Sequence, residues 1–338
     1  MAGMNKVFFK EIAIGFCLGT ANIIPGVSGG TFLLVFNIYE RFFKILSNLS
    51  QLNRHDLSFI LKLLAGAVIA ILCLSDLIKY LILNHFSIIY SLFFGLIIIS
   101  IIIPLKMLTY KKTFLVLFYI LGAVATIYLT CTIDPYLKIK RKSDIYEKQY
   151  LEQNLVKQAQ QEGNKKTFFI NSQYSFNDYA YIFLCGAIAV SAMFLPGISG
   201  SLVLILMGVY FEVLSAISTL KSFNMDNILF LFIFLSGIII GGLLFARFIN
   251  IIFNKYYNQV LAFLTGLMAG SLYALWPFKK VVVMSEQYIK QDGIISVVNN
   301  LVVKTNINKL PELGFDLIFP CAAFLAGCCI MLLFVRKK

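Results

Sequence analysis

The sequence predicts an all-α, polytopic membrane protein built as an inverted repeat, each copy a re-entrant hairpin followed by three transmembrane helices. Three observations predict it. First, 59% of the 338 residues are apolar and 13% are charged, with a mean hydropathy of +0.85, whereas about a quarter of a soluble domain is charged. Thirty-two Phe, and runs such as the one from Gly95 to Ile103, exceed what a water-soluble core of this size can hide. Second, six segments are apolar for the ~20 residues that cross ~30 Å of hydrocarbon. Third, the group Pro-Gly-x-Ser-Gly occurs twice, each time in the middle of an apolar region about 40 residues long. Together these exclude a cytosolic enzyme, a disordered chain and a secreted disulfide scaffold.

The first copy covers residues 1–133. It opens with an apolar stretch, 7–46, interrupted at Pro25-Gly26-Val27-Ser28-Gly29-Gly30. The break can be a kink, a loop joining two full spans or the tip of a re-entrant hairpin. The arms, 7–24 and 31–46, are slightly short for full crossings, and the interruption carries no charge and no polar side chain beyond Ser28. Both features favour a re-entrant tip, because irregular backbone at membrane depth is tolerated only when buried in protein or lining a wet cavity. Spans are expected at 57–77, 87–105 and 113–132. A Lys-, Gln- and Asn-rich segment, 134–178, follows as an external loop. The second copy, 179–338, repeats the plan with a broken hairpin at 179–217 and spans at 228–249, 259–276 and 316–335. Its mixed external loop, 278–315, is expected to be partly helical, like 134–178. The N-terminal stretch has no small-residue cleavage site before polar sequence and reads as retained.

The two copies align at a shift of 171 residues. Pro25, Gly26, Ser28 and Gly29 match Pro196, Gly197, Ser199 and Gly200, and Gly15, Ala21, Leu33 and Tyr39 match Gly186, Ala192, Leu204 and Tyr210. The register holds through Phe59 with Phe230, Gly66 with Gly237 and Gly95 with Gly266. Three crossings per copy is an odd number, so the second copy enters the membrane upside down. Counting each hairpin as two crossings gives five, also odd, and the inversion survives.

Net charge is +13, from 29 basic and 16 acidic residues. The basic residues sit mostly between hydrophobic segments, which suits topology and anionic headgroups better than nucleic acid. Placing both termini in the cytoplasm collects Lys6, Lys10, Arg41, Lys44, Arg54, Lys106, Lys111, Lys112, Lys255, Arg336, Lys337 and Lys338 on that side. Seven cysteines lie in apolar stretches without CxxC spacing, and His55 and His85 are the two histidines. No metal or cofactor is expected.

The broken tips carry the chemistry. Each second arm starts after Ser28-Gly29-Gly30 or Ser199-Gly200-Ser201, and a helix N-terminus offers unpaired N–H groups at a positive dipole end. Ser28, Thr31, Ser199 and Ser201 add hydroxyls, Asn22 a polar liner. Two such termini related by an in-plane twofold would form an anion site near mid-membrane. The plainer reading is that Pro and Gly only turn the chain and let helices pack. Ionisable residues near the spans are the second clue: Glu40, Arg41, Lys62, Asp76, Glu212 and Arg247. Arg41 matches Glu212 and Asp76 matches Arg247 at the 171 shift, each with its sign inverted. Snorkelling to headgroups explains Lys62 and Arg247 more simply.

Thr20-Ala21-Asn22-Ile23-Ile24-Pro25-Gly26-Val27-Ser28-Gly29-Gly30-Thr31, with Tyr39-Glu40-Arg41, resembles the first signature of the PopT-like polyprenyl-phosphate transporters, a family long classed as a domain of unknown function. Leu195-Pro196-Gly197-Ile198-Ser199-Gly200-Ser201 with Gly208-Val209-Tyr210 resembles its second, and Gly266-Leu267-Met268-Ala269-Gly270-Ser271-Leu272 with Trp276-Pro277 a third. The resemblance covers roughly residues 10–280. It implies a flippase of the bacterial cytoplasmic membrane that returns undecaprenyl phosphate, the carrier lipid of cell-wall synthesis, from the outer to the inner leaflet. Expected substrate-binding residues are Asn22, Pro25, Gly26, Ser28, Gly29, Gly30, Thr31, Arg41, Pro196, Gly197, Ser199, Gly200, Ser201 and Arg247.

Moving a negative headgroup inward opposes an inside-negative potential by ~2.3 kcal/mol per charge per 100 mV. Either the headgroup is neutralised or protons or cations accompany it, and Glu40, Asp76 or Glu212 is expected to carry a proton. A soluble-anion channel or carrier could use the same tips, but it needs a closed pore where a flippase needs a groove open to lipid. A membrane-embedded lipid-phosphate enzyme needs a nucleophile with acid–base partners or a metal cluster, and neither histidine stands beside a tip serine in sequence.

Overall fold

A computed structural model describes residues 2–23, 28–48, 51–109, 113–132, 176–200, 203–204, 207–209, 213, 216, 225–291, 294–311 and 314–336. The expected loop at 134–178 falls outside these except for its last residues, which begin a helix.

The first copy comprises α1 (Ala2–Ile23), α2 (Gly29–Val35), α3 (Tyr39–Ser47), α4 (Arg54–Asn84), α5 (Phe86–Ser100), α6 (Ile102–Met107) and α7 (Thr113–Thr132). The second comprises α8 (Phe176–Phe194), α9 (Met225–Ala274), the strands β1 (Lys279–Gln291) and β2 (Ile294–Asn308), and α10 (Ile318–Arg336). Among the described residues, six helical segments are long and apolar enough to cross a bilayer, lying within α4, α5–α6, α7, α8, α9 and α10.

Local chemistry sets the boundaries. Asn53 caps α4 by accepting the Asp56 N–H at 2.7 Å, the usual role of Asn at a helix start. The span expected at 87–105 divides at Ile101 into α5 and α6; Pro104 has no N–H to give and crowds the carbonyl four residues back. The arm expected at 31–46 also divides, into α2 and α3, at Asn37 (φ 57°). The spans expected at 228–249 and 259–276 are one helical run, α9, broken at the single residue Tyr256 (φ −130°, ψ 44°). No Gly or Pro lies between 249 and 259 to stop the helix sooner. The region expected to be partly helical, 278–315, is an antiparallel pairing of β1 with β2. Its runs of Val and Ile suit a strand better than a helix.

The duplication recurs in backbone detail. His85, the single residue between α4 and α5, has φ −130° and ψ 43°, and its equivalent is Tyr256. Asn37 and its equivalent Gly208 both have positive φ. Around them, Ile38 N–H bonds the Leu33 carbonyl and Val209 N–H bonds the Leu204 carbonyl, at 3.0 and 3.1 Å.

Glycines weld the helices together. A Cβ at Gly15 would strike the Leu63 backbone, and one at Gly186 the Phe234 backbone. Gly66 lies against Ile12 as Gly237 lies against Phe183. Gly15 on Leu63 and Gly19 on Ala67 make α1 and α4 parallel. Continuing that register sets the end of α1 level with Ile71, near the middle of α4, a helix of 31 residues and about 46 Å. A Cβ at Gly242, midway along the first arm of α9, would stand 3.5 Å from the Phe194 ring at the end of α8.

The third spans are exchanged between copies. Gly95 of α5 abuts Phe324 of α10, and Gly266 of α9 abuts Tyr119 of α7. Reciprocally, Gly327 abuts Leu92 and Gly122 abuts Phe263. Residues of α7 and α10 correspond at a shift of 205 instead of 171, because the β1–β2 hairpin stands where the first copy has a short connection after Leu108.

Candidate functional site

The two chain reversals touch. Ser28, 2% exposed, donates from Oγ to the Leu195 carbonyl at 2.8 Å. Thr31, 1% exposed, accepts the Gly197 N–H on its Oγ1 at 3.2 Å. Tyr39 donates its hydroxyl to the Phe194 carbonyl at 3.4 Å. Gly30 lies so close to Phe194 that a Cβ would collide with that carbonyl. Gly197 has φ +81°, and a side chain there would enter the Leu267 carbonyl of α9. Within the first reversal, Asn22 Oδ1 accepts the Gly29 N–H at 3.0 Å, tying the end of α1 to the start of α2. The junction is thus a set of polar groups that satisfy one another across two copies. A ligand here would exchange with these hydrogen bonds.

A second polar assembly joins α1, α3 and α4. Glu11, 7% exposed, accepts from Lys62 Nζ at 2.9 Å and faces Arg41 at 3.6 Å. Arg41 lies flat over the Phe59 ring at 3.9 Å, 3.1 Å from His55 Nδ1 and 3.9 Å from Asp56. Two cations and two carboxylates balance. At the 171 shift Glu11 and Lys62 become Ile182 and Ile233.

Arg41 also lines a cavity of about 560 Å³ between α3 and α9, with Glu40, Lys44, Asn48, Asn250, Asn254 and Tyr257. Arg247 approaches the same end of α3 through Nε, 3.4 Å from the Ser47 carbonyl. Between cavity and tip junction stands a layer of rings: Phe43 packs edge-on to Phe194 at 5.3 Å and lies 4.5 Å from Tyr39.

The structure brings Asn22, Ser28, Gly29, Gly30, Thr31 and Gly197 to one junction, with Pro196 buried beside them. Ser199 is half-buried, and Gly200 packs on the Ala189 carbonyl. Arg41 belongs to the ionic assembly and to the cavity, Glu40 to the cavity. Asp76 is exposed on α4, and none of these contacts includes it. Pro25, Gly26, Ser201 and Glu212 lie outside the described residues. Among the described residues, no group of three His, Cys, Asp or Glu is placed to hold a metal.

Sequence reasoning assigned no role to Glu11, which stands early in the first arm, or to His55 and Asp56, which precede the expected span at 57–77. The signal was the internal alignment: two opposite charges, Glu11 and Lys62, both replaced by Ile in the other copy.

Residues 18–292 match the undecaprenyl phosphate translocase-like family. The chain is 31% identical over 297 residues to a polyprenyl-phosphate transporter of Vibrio cholerae, covering 83% of this chain and 81% of that one. It is 30% identical over 277 residues to a polyprenyl-phosphate transporter of Staphylococcus aureus, covering 81% and 88%. No solved structure gives a significant match.

Proposed function

We propose a transport mechanism from one premise: the chain belongs to the undecaprenyl phosphate translocase-like family. It is a multi-pass membrane transporter of polyprenyl phosphate, not an enzyme. In the finer reading it is a flippase of the bacterial cytoplasmic membrane. It moves undecaprenyl phosphate from the outer to the inner leaflet and so returns the carrier lipid for cell-wall synthesis.

The observation that carries this reading is the direct contact of the two Pro-Gly-x-Ser-Gly reversals, level with the middles of α4 and the first arm of α9. Reversals at that depth are re-entrant, and the two copies are inverted. The equivalent glycine contacts and the exchanged third spans support a twofold relation between them. The phosphate takes over the Ser28 hydroxyl and the Gly197 N–H, which in the closed junction serve Leu195 and Thr31. Arg41 and Arg247 attract it at the cytoplasmic end. Support for this orientation comes from the clustering of Arg41, Lys44, Arg54 and Lys255 around the ends of α3, the start of α4 and the Tyr256 break.

The isoprenoid tail stays in lipid. A mostly apolar groove of about 620 Å³, lined by Ile102, Leu105, Leu108, Val116 and Ala262 with Lys106 and Tyr119, opens between α6, α7 and α9, which favours a lipid over a soluble anion. Inward movement against the potential is balanced by a proton on Glu40, Asp76 or Glu212.

The test is movement of polyprenyl phosphate between leaflets in proteoliposomes, wild type against Ser28→Ala, Arg41→Ala and Arg247→Ala. Loss in variants that insert normally is expected. Wild-type rates in the Ser28 variant would remove the tips from the mechanism. Equal wild-type rates with and without an imposed pH gradient would remove the proton.

A further inference from the structure

We propose that the cavity between α3 and α9 is a second phosphate-monoester site, held by Arg41 and Lys44, and that Glu11 competes with the ligand for Arg41. This rests on the transport reading above and adds a receiving site at one end of the path.

The walls match the chemistry. Two cations, Arg41 and Lys44, stand with the side-chain amides of Asn48, Asn250 and Asn254 around about 560 Å³. The one carboxylate on the wall, Glu40, lies beside Tyr257. A monoester needs charge and several donors together, and Arg with amides supplies both.

The carboxylates hold Arg41 loosely. Its distances to Glu11 and Asp56, 3.6 and 3.9 Å, exceed the ~2.8 Å of a tight charge-assisted bond, and its short polar contact is with the neutral ring of the exposed His55, at 3.1 Å. Its side chain is 38% exposed. Glu11 does not depend on it, because Lys62 binds the same carboxylate at 2.9 Å. Removing one partner of a buried pair normally strands a charge at high cost. Here Lys62 stays behind, so Arg41 can turn to a ligand without stranding Glu11, pivoting on the Phe59 ring that supports it.

The residues of the site are not repeated in the sequence of the other copy. At the 171 shift Arg41, Lys44 and Asn48 become Glu212, Ser215 and Thr219, and Glu11 and Lys62 become Ile182 and Ile233. A duplicated chain that carries these cations in one copy has a preferred end for holding the headgroup. The ring of Phe43 on the cavity wall touches Phe194 of the second reversal, so one layer of side chains separates the cavity from the tips.

The experiment is calorimetric titration of the full chain in nanodiscs with a short-chain polyprenyl phosphate and, separately, with inorganic phosphate. Arg41→Gln and Lys44→Gln are each expected to weaken the lipid by about tenfold or more, from loss of a charged hydrogen bond. Glu11→Gln is expected to tighten it several-fold. The double variant Glu11→Ile with Lys62→Ile, which copies the packing of the other half, is expected to do the same and covers a folding failure of the single one. Lys309→Gln, exposed beyond β2 and on neither cavity wall, should bind as wild type. Weakening in both arms, or in the lipid arm alone, supports the site; weakening of inorganic phosphate alone overturns it, as does wild-type affinity in both cavity variants. Transport by Ser28→Ala, measured with the same purified protein in proteoliposomes, keeps the two readings apart. Lost transport with unchanged cavity variants sinks this site and spares the tips, while normal transport with weakened cavity variants does the reverse.

Discussion

At one helix contact the chain uses an ion pair, Glu11 with Lys62, and at its equivalent two isoleucines, Ile182 and Ile233. Around these unlike pairs the scaffold is the same. Gly15 and Gly186 approach the same backbone position of the neighbouring helix, Phe59 and Phe230 are both 1% exposed, and His85 and Tyr256 share one backbone conformation. Glycine contacts and turn geometry are therefore what the duplicated fold requires. The charges are not repeated: the other copy keeps the same glycine contacts with Ile182 and Ile233 in an apolar cluster. A buried ion pair is weak evidence for stability and better evidence for a role.

Substitutions can break or sharpen this contrast. The largest effect is expected for Glu11→Ala, which removes the buried carboxylate 2.9 Å from Lys62; a loss of about 3 kcal/mol is expected, read by thermal unfolding. Glu11→Ile with Lys62→Ile should return to within about 1 kcal/mol of wild type. A double variant as unstable as Glu11→Ala would show that the two copies are not interchangeable at this contact. Next is Gly30→Ala, whose Cβ meets the Phe194 carbonyl. It should cost about 1–3 kcal/mol, the range for overpacking, and abolish lipid movement in proteoliposomes by prising the reversals apart. Smaller again is the equivalent pair Asn37 and Gly208. Gly208→Ala, with nothing within 4 Å of the new Cβ, should cost about 1 kcal/mol from its positive φ alone. Asn37→Gly should change stability by only a few tenths of a kcal/mol by the same measurement.

The smallest effect belongs to a part without a counterpart. Lys279 begins β1, where the first copy has only Leu108, and it donates to the Tyr273 carbonyl at 3.1 Å and to Asn308 Oδ1 at 2.5 Å. Burial lowers its pKa to about 8, below the ~10.4 of an unfolded lysine. Between these values the unfolded chain binds more protons, so stability rises as pH increases from about 8 towards 10 and levels off on either side. Melting temperatures across that window should show a shallow rise in wild type that Lys279→Met removes.

The reversals were legible because four residues, Pro-Gly-x-Ser-Gly, recur in register and because their chemistry is local. The spans were legible from apolar length, and Thr113–Thr132 coincides with its expected bounds. Less legible were the features set by partners far apart in the chain. Glu11 meets Lys62 only because α1 and α4 lie parallel, and nothing near either residue announces that pairing. The Tyr256 break is a single residue with ordinary composition. The β-hairpin did leave a trace, Asp292-Gly293 between Val- and Ile-rich runs, a short hairpin signature. It was outweighed by the helical character of everything around it.

The exchanged third spans bear on how the molecule is made. Gly95 is complemented by Phe324, more than two hundred residues later, and Gly122 waits for Phe263. During synthesis the early half must sit in the bilayer with its glycine seams open until α9 and α10 emerge. Contacts so distant in sequence slow folding. Each half expressed alone would display an unfilled seam, and the two supplied as separate chains should find each other across it.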